Sequence, residues 1–249
     1  PYTAGSTQLI HVLPPEFQAG GTETLTKRLR DRAAREEMRA RMETGSDFEN
    51  ITLLVGFENV IAIGLRTDEY RRFEGKSIAE IALALGKDPY DALFDLLAAE
   101  KCEAGMIDYI SDEEDLKAIL RAPFSGVISD ATYPGAGQVH PRVYGAFARL
   151  IETYVVREKV LTLEQAVHKV TLKAAERFSL AGKGKIEVGA DADLLLFAPE
   201  KIRERGTYLT PKACASGFDE VFVLGERVIE NGVYRGGSSG EMLGLRMEY

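Results

Sequence analysis

From Pro1 to Gly182 the sequence offers about three convincing strand segments, each followed by a helix signal, and that count limits the fold. A closed (β/α)8 barrel needs eight strands and about 250 residues for itself. The whole chain has 249 residues, and its last part has a different texture. It therefore holds either a smaller open α/β domain or part of a barrel. Hydrophobic residues make up 45%, enough for a core, so the shortfall lies in strands rather than in apolar side chains.

The helix signals are local. Ser77 and Glu80 form a capping box ahead of IALALG, Ser111 and Glu114 a second ahead of DLKAIL, and Thr162 and Gln165 a third ahead of AVHKV. In each, side chains meet backbone N–H groups that a first helical turn leaves orphaned. Asp88-Pro89 joins an N-cap to proline at the first helical position and predicts a helix to about Glu100. Leu25, Leu29, Ala33, Met38 and Met42 recur near helical spacing within 22–44, and Tyr144–Glu158 carries another apolar stripe. Glu49–Gly64, rich in β-branched residues and broken at Gly56, predicts one or two short strands, and Phe124–Ser129 predicts a buried one. At about Lys183 the pattern changes. Two β runs flank Gly189-Ala190, and DEVFVLGERVIENGVYRGG reads as a meander with turns at Gly225-Glu226 and Asn231-Gly232. The expected division is an α/β part over 1–182, a β part over 183–236 and a tail over 237–249.

Several function classes are disfavoured. A net charge of −8 argues against nucleic acid and anionic membranes as partners, since binding them takes clustered Lys and Arg. The basic stretch Lys27–Arg41 is interleaved with Glu36 and Glu37 and reads as a solvated helix face. No apolar run approaches the roughly 18 residues of a membrane span, and no secretory leader is expected. Cys102 and Cys214 cannot build a disulfide framework, which fits a reducing cytoplasm. His11, His140 and His168 are the histidines, with no H-x-H or H-E-x-x-H pair, so a self-contained zinc site is not expected. The chain opens at Pro1 without an initiator Met, as if inside a longer protein.

One stretch concentrates candidate chemistry. Asp130 closes the run SGVIS and precedes a glycine-rich loop that ends at His140-Pro141-Arg142. A carboxylate ending a barrel strand faces the side where barrel sites lie and can move protons; otherwise it caps a turn at Ala131-Thr132. Arg142 can hold a substrate carboxylate through two parallel bonds or make a structural ion pair. His140 reads either as a satisfied structural histidine or as a substrate contact. Pro134-Gly135-Ala136-Gly137 has the composition of a hinge or of a plain connector. His168 is expected on the surface and His11 in a loop.

In order, PYTAGST, GKSIAEIALALGKDPYDALFDLL, ISDA, HPRVYGAFARL, LTLEQAVHKVT, GKIEVGADADLLLF and VFVLGERVIENG resemble the C-terminal portion of N-acyl-D-amino-acid deacylases, the D-aminoacylases of the metal-dependent amidohydrolase superfamily. The resemblance implies the C-terminal part of a TIM barrel with a helical insertion, plus part of a small β-sandwich. The early strands and most metal ligands would then lie upstream of Pro1, so missing strands and missing histidines agree. It implies Zn2+ in the complete enzyme, weakly held or absent here, with Asp130 as proton shuttle and as a carboxylate able to touch the metal. Given a small N-acyl amino acid as substrate, Arg142 and His140 are candidate contacts to it, and Asp191 and Asp193 fit the family's structural turn. The chain by itself is expected to be inactive. Ala131 stands where the family usually has glycine, Ile128-Ser129 precede the acid, and KVTLKAAERFSL departs from the usual turn. These differences bear on substrate preference more than on reaction type. The rivals are a dihydroorotase- or hydantoinase-like cyclic amidohydrolase and a non-catalytic, degenerate barrel module. A partial barrel exposes a strand edge, so either a homo-oligomer through that edge or a rearranged sheet is expected.

Overall fold

The computed structural model describes residues 1–132 and 137–243. Two compact units emerge. The N-terminal unit is Tyr2–Glu113 with Thr132–His140; the C-terminal unit is Pro1 with Glu114–Ala131 and Pro141–Tyr249. The β-rich residues after 183 group with the helices that precede them rather than alone.

The N-terminal unit is built on strands β1 (Gly5–Gln8), β2 (Val60–Ile63) and β3 (Gly105–Asp108), in spatial order β1-β3-β2. Both pairings are antiparallel, with Ser6 opposite Ile107 and Ile61 opposite Ile107. Its helices are α1 (Pro15–Gln18), α2 (Gly21–Arg28), α3 (Arg32–Thr44), α4 (Ile51–Val55), α5 (Ile78–Leu85) and α6 (Pro89–Ala99). The helix expected across 22–44 is thus two helices. Asp31 restarts the second, its carboxylate accepting from the Ala34 N–H at 2.9 Å. The expectation of strands across 49–64 holds only for its second half. Asn50 caps α4 by accepting from the Leu53 N–H, and its amide donates to Met42 O (2.7 Å) and Gly45 O (3.1 Å). Those bonds override the β propensity of Ile51-Thr52, and Gly56 at φ +77° then ends the turn. The Ser77/Glu80 capping box forms as read, with bonds of 3.1 and 2.9 Å. Asp88 accepts from the Tyr90 N–H at 3.0 Å and opens α6. The core closes over β2 and β3, with Val60, Met106, Ile78, Ile81, Leu93 and Leu97 wholly buried.

The C-terminal unit holds α7 (Glu113–Arg121) from its second residue on, α8 (Arg142–Arg149), α9 (Leu163–Val170) and α10 (Leu172–Arg177). Helix α8 runs on into a π-helical turn over Leu150–Arg157. The Thr162/Gln165 capping box opens α9 with bonds of 3.2 and 2.9 Å. A four-stranded antiparallel sheet follows in order β4 (Leu194–Phe197), β5 (Phe218–Val223), β6 (Glu226–Glu230) and β7 (Val233–Tyr234). Leu150, Tyr154, Ala166 and Ile202 are its most buried residues.

Three local expectations are corrected here. Phe124–Ser129 is not a buried strand: Phe124 is 83% and Ile128 69% exposed, and the segment joins no ladder. Its bond from the Val127 N–H to Lys169 O, at 3.4 Å, goes to a helix end, and a lone strand without neighbours does not hold. The run before Gly189 is also irregular, with Ile186 and Val188 exposed. In the first hairpin the turn residues are Leu224-Gly225, at φ +48° and +83°, one place earlier than expected. Asn231-Gly232, at φ +51° and +74°, forms the second as read. Among the described residues no helix is long and apolar enough to cross a membrane.

Candidate active site

With no ladder to continue, the chain leaves Val127 as an irregular segment and turns at Asp130, whose φ is +50°. A short polar residue tolerates this left-handed conformation better than a branched one. The turn cap itself is made by Ser129, whose hydroxyl accepts from the Ala131 N–H at 3.3 Å. Asp130 does something else. Its Oδ2 accepts from Arg142 Nη2 at 2.9 Å.

Arg142 is the first residue of α8, directly after Pro141. It is only 9% exposed, whereas the Asp130 side chain is 66% exposed. A cation at a helix N-terminus opposes the helix dipole, so this guanidinium needs a nearby anion. Asp130, in the same unit, supplies one. Two of the expected site residues are therefore brought within one bond. Of the two readings of Arg142, the contact present is the ion pair, and its partner is the other candidate. Pro134–Ala136 of the expected hinge lie outside the described residues.

His140 belongs to the N-terminal unit, where it is buried. Its Nε2 lies 3.1 Å from Ala4 O, and a carbonyl only accepts, so Nε2 carries the proton. The ring stands edge-on to Tyr2, with centroids 4.8 Å apart. His140 also lines a cavity of about 450 Å³ in this unit, together with Ser6, Gln8, Arg66 and Gln138. Arg66 is paired with Glu103 at this cavity. Cys102 lines it too, but burial pushes its thiol up, more than the Thr26 hydroxyl lowers it, so it is no thiolate nucleophile at neutral pH.

Two supporting residues escape a reading of the sequence. Lys169 is buried, and its Nζ donates to Ala122 O (2.7 Å), Ser125 O (2.9 Å) and Ser125 Oγ (2.9 Å). It thereby anchors the segment that leads to Asp130. Burial, and then the charge of Lys173, holds its ammonium below the usual lysine range. The available signal was its spacing three residues after the buried Ala166 on α9. Glu74 accepts from the N–H groups of Gly64, Leu65 and Gln138, and no spacing announces it. His168 is exposed as expected; His11, expected in a loop, sits exposed in a short 3-10 turn.

Among the described residues no group of three or more His, Cys, Asp or Glu side chains is placed to hold a metal ion. Asp130 offers a single carboxylate. These residues do not make a metal centre on their own.

The chain is a member of the amidohydrolase family, whose profile matches residues 67–208. It is 36% identical over 151 residues to N-acyl-D-glutamate deacylase of Alcaligenes xylosoxydans xylosoxydans, a match covering 61% of this chain and 30% of that protein. The crystal structure of a D-aminoacylase superposes with a TM-score of 0.69 at 26% identity, over 95% of this chain and 40% of that one. N-acyl-D-glutamate deacylase of Bordetella bronchiseptica, solved with zinc and a phosphonate mimic of the tetrahedral intermediate, superposes with a TM-score of 0.65 at 26% identity, over 95% of this chain and 41% of that one. The chain therefore spans well under half the length of these relatives, and it has the α/β amidohydrolase fold class expected from its sequence.

Proposed function

We propose that these residues supply the proton-transfer and carboxylate-binding part of a hydrolase that cleaves the amide bond of N-acyl-D-amino acids. The Asp130–Arg142 ion pair carries this reading. An N-acyl amino acid has one free α-carboxylate, and a guanidinium can bind it through two parallel bonds. A substrate carboxylate that takes over Arg142 releases the Asp130 carboxylate. Asp130 then accepts a proton from the attacking water as its oxygen bonds to the acyl carbon, and returns that proton to the leaving nitrogen as the C–N bond breaks. His140, whose Nε2–H is committed to Ala4 O, lines the cavity of the N-terminal unit and is proposed as a separate substrate contact.

Zn2+ is proposed for the complete active site, on the strength of the zinc-bound relative. The described residues contribute one carboxylate to it, and the remaining ligands come from outside them. The cytoplasm is the proposed location, since Cys102 and Cys214 are free.

The test is a zinc-supplemented deacylation assay on two samples: the 249-residue chain, and the protein expressed from the complete reading frame that encodes it. Substrates are N-acetyl-D-glutamate, N-acetyl-D-aspartate and N-acetyl-D-leucine, with L enantiomers and dihydroorotate as controls. Turnover of the D substrates by the complete protein, lost in Asp130→Asn, is expected, with none from the chain alone. Turnover of dihydroorotate alone would replace this reading with the cyclic amidohydrolase one.

A further inference from the structure

We propose that Glu74 is a positioning residue that pins the 137–140 segment, and with it His140, against the turn after β2. The inference rests on the reading of His140 as a substrate contact. The Glu74 carboxylate reaches three backbone donors. Oε1 accepts from the Gly64 N–H at 2.8 Å and from the Gln138 N–H at 2.7 Å, and Oε2 accepts from the Leu65 N–H at 2.7 Å. One oxygen thus bridges two chain segments more than seventy residues apart in sequence. Among the described residues no Lys or Arg is paired with Glu74, so backbone amides meet its charge. A carboxylate held this way is a strong, directional clamp.

Glu74 is itself fixed to the sheet. The Gly75 N–H donates to Ala62 O at 2.9 Å, and Lys76 O accepts from the Ala62 N–H at 2.9 Å. The clamp therefore refers the segment to β2, the edge of a buried sheet. Glycine permits the close approach. A Cβ on Gly137, at φ +74°, would stand 2.6 Å from Gly64 Cα, so the two glycine backbones touch. Gly64 on one side, with Gln138, Val139 and His140 on the other, all line the 450 Å³ cavity. The Glu74 carboxylate holds these two walls in register. Releasing it frees the wall that bears His140 while leaving the sheet and its core in place.

The test compares Glu74→Gln, Gly137→Ala and the exposed control Glu69→Gln. Gln keeps the shape but sets an N–H2 group against backbone donors; Ala at 137 pries the same contact apart by bulk. Hydrogen exchange at the Gln138 amide, in the chain as it stands, is expected to quicken at least tenfold in both variants and to stay unchanged in Glu69→Gln. In the deacylation assay of the complete protein, Glu74→Gln is expected to raise KM about tenfold with kcat within threefold. The double variant Glu74→Gln/His140→Gln should bind substrate no worse than His140→Gln alone, because one residue acts through the other. Unchanged exchange at Gln138 in either folded variant overturns the clamp. Multiplying KM effects, or a wild-type KM in His140→Gln, overturns its role in positioning. A complete protein without any deacylase activity removes the functional reading alone, and the exchange result still decides the clamp.

Discussion

The two sheets of the molecule treat apolar strands in opposite ways. In the N-terminal unit β3 is the central strand, and Met106, Ile107 and Asp108 are all buried beneath helices that pack on β2 and β3. In the C-terminal unit β4 is an edge strand, and Leu195 and Leu196 are 56% and 62% exposed although the run LLLF is the more apolar of the two. Stability is thus concentrated where the core closes, whereas Asp130 and Arg142 lie in the unit with the looser burial. Binding and catalytic groups are commonly held by segments that contribute little to folding.

That contrast can be broken by experiment. The largest expected effect is on turnover: Asp130→Asn should lower kcat of the complete protein by about 10²–10⁴-fold, the range for a general acid–base group. The same change should cost no more than about 1 kcal/mol of stability, because the acid is largely exposed. A thermal melt and a rate assay on one preparation check both. Next, Leu93→Ala in α6 should cost about 2–5 kcal/mol in urea unfolding, while Leu195→Ala in β4 stays within about 0.5 kcal/mol. Equal losses at the two sites would erase the difference between the sheets.

Capping sharpens the comparison at smaller scale. Asn50→Ala removes a cap and two bonds to buried carbonyls, and should cost about 2 kcal/mol. Thr162→Ala removes an exposed cap from α9, for about 1 kcal/mol. Denaturation midpoints at constant slope measure both.

The smallest effects separate the units by pH. Burial, and then the charge of Glu69, pushes Tyr70 up to about 12. The folded chain keeps this proton where the unfolded chain, titrating near 10, has lost it. The contribution is therefore complete below pH 10 and fades as pH rises toward 12, and Tyr70→Phe should flatten that alkaline limb. In the C-terminal unit Lys183, and then the Leu224 N–H, holds the Asp193 carboxyl below its usual range. This contribution is present above about pH 3.8 and is lost as pH falls through the lower folded value, so Asp193→Asn should flatten the acid limb. Melting temperatures across the pH range read both limbs.

Much of the candidate site was legible as chemistry but not as geometry. Asp130, His140 and Arg142 stood out because acid, histidine and arginine flank one glycine-rich loop. That Arg142 pairs with Asp130, and that His140 turns to Ala4 O, depends on contacts set by folding. Glu74 could not be singled out, since an isolated glutamate after a short turn has no distinguishing neighbours in sequence.

What the amino-acid order determined by itself was local: the capping boxes at Ser77 and Thr162, the Asp88-Pro89 helix start and the Asn231-Gly232 hairpin. Each rests on bonds within a few residues, so no distant partner is needed. The tertiary structure alone decided that Ile51–Val55 coils, that Phe124–Ser129 fails to pair, and which carboxylates meet which donors. A strand is made only by the strand beside it, and a charge finds its partner only when the chain has brought the two together.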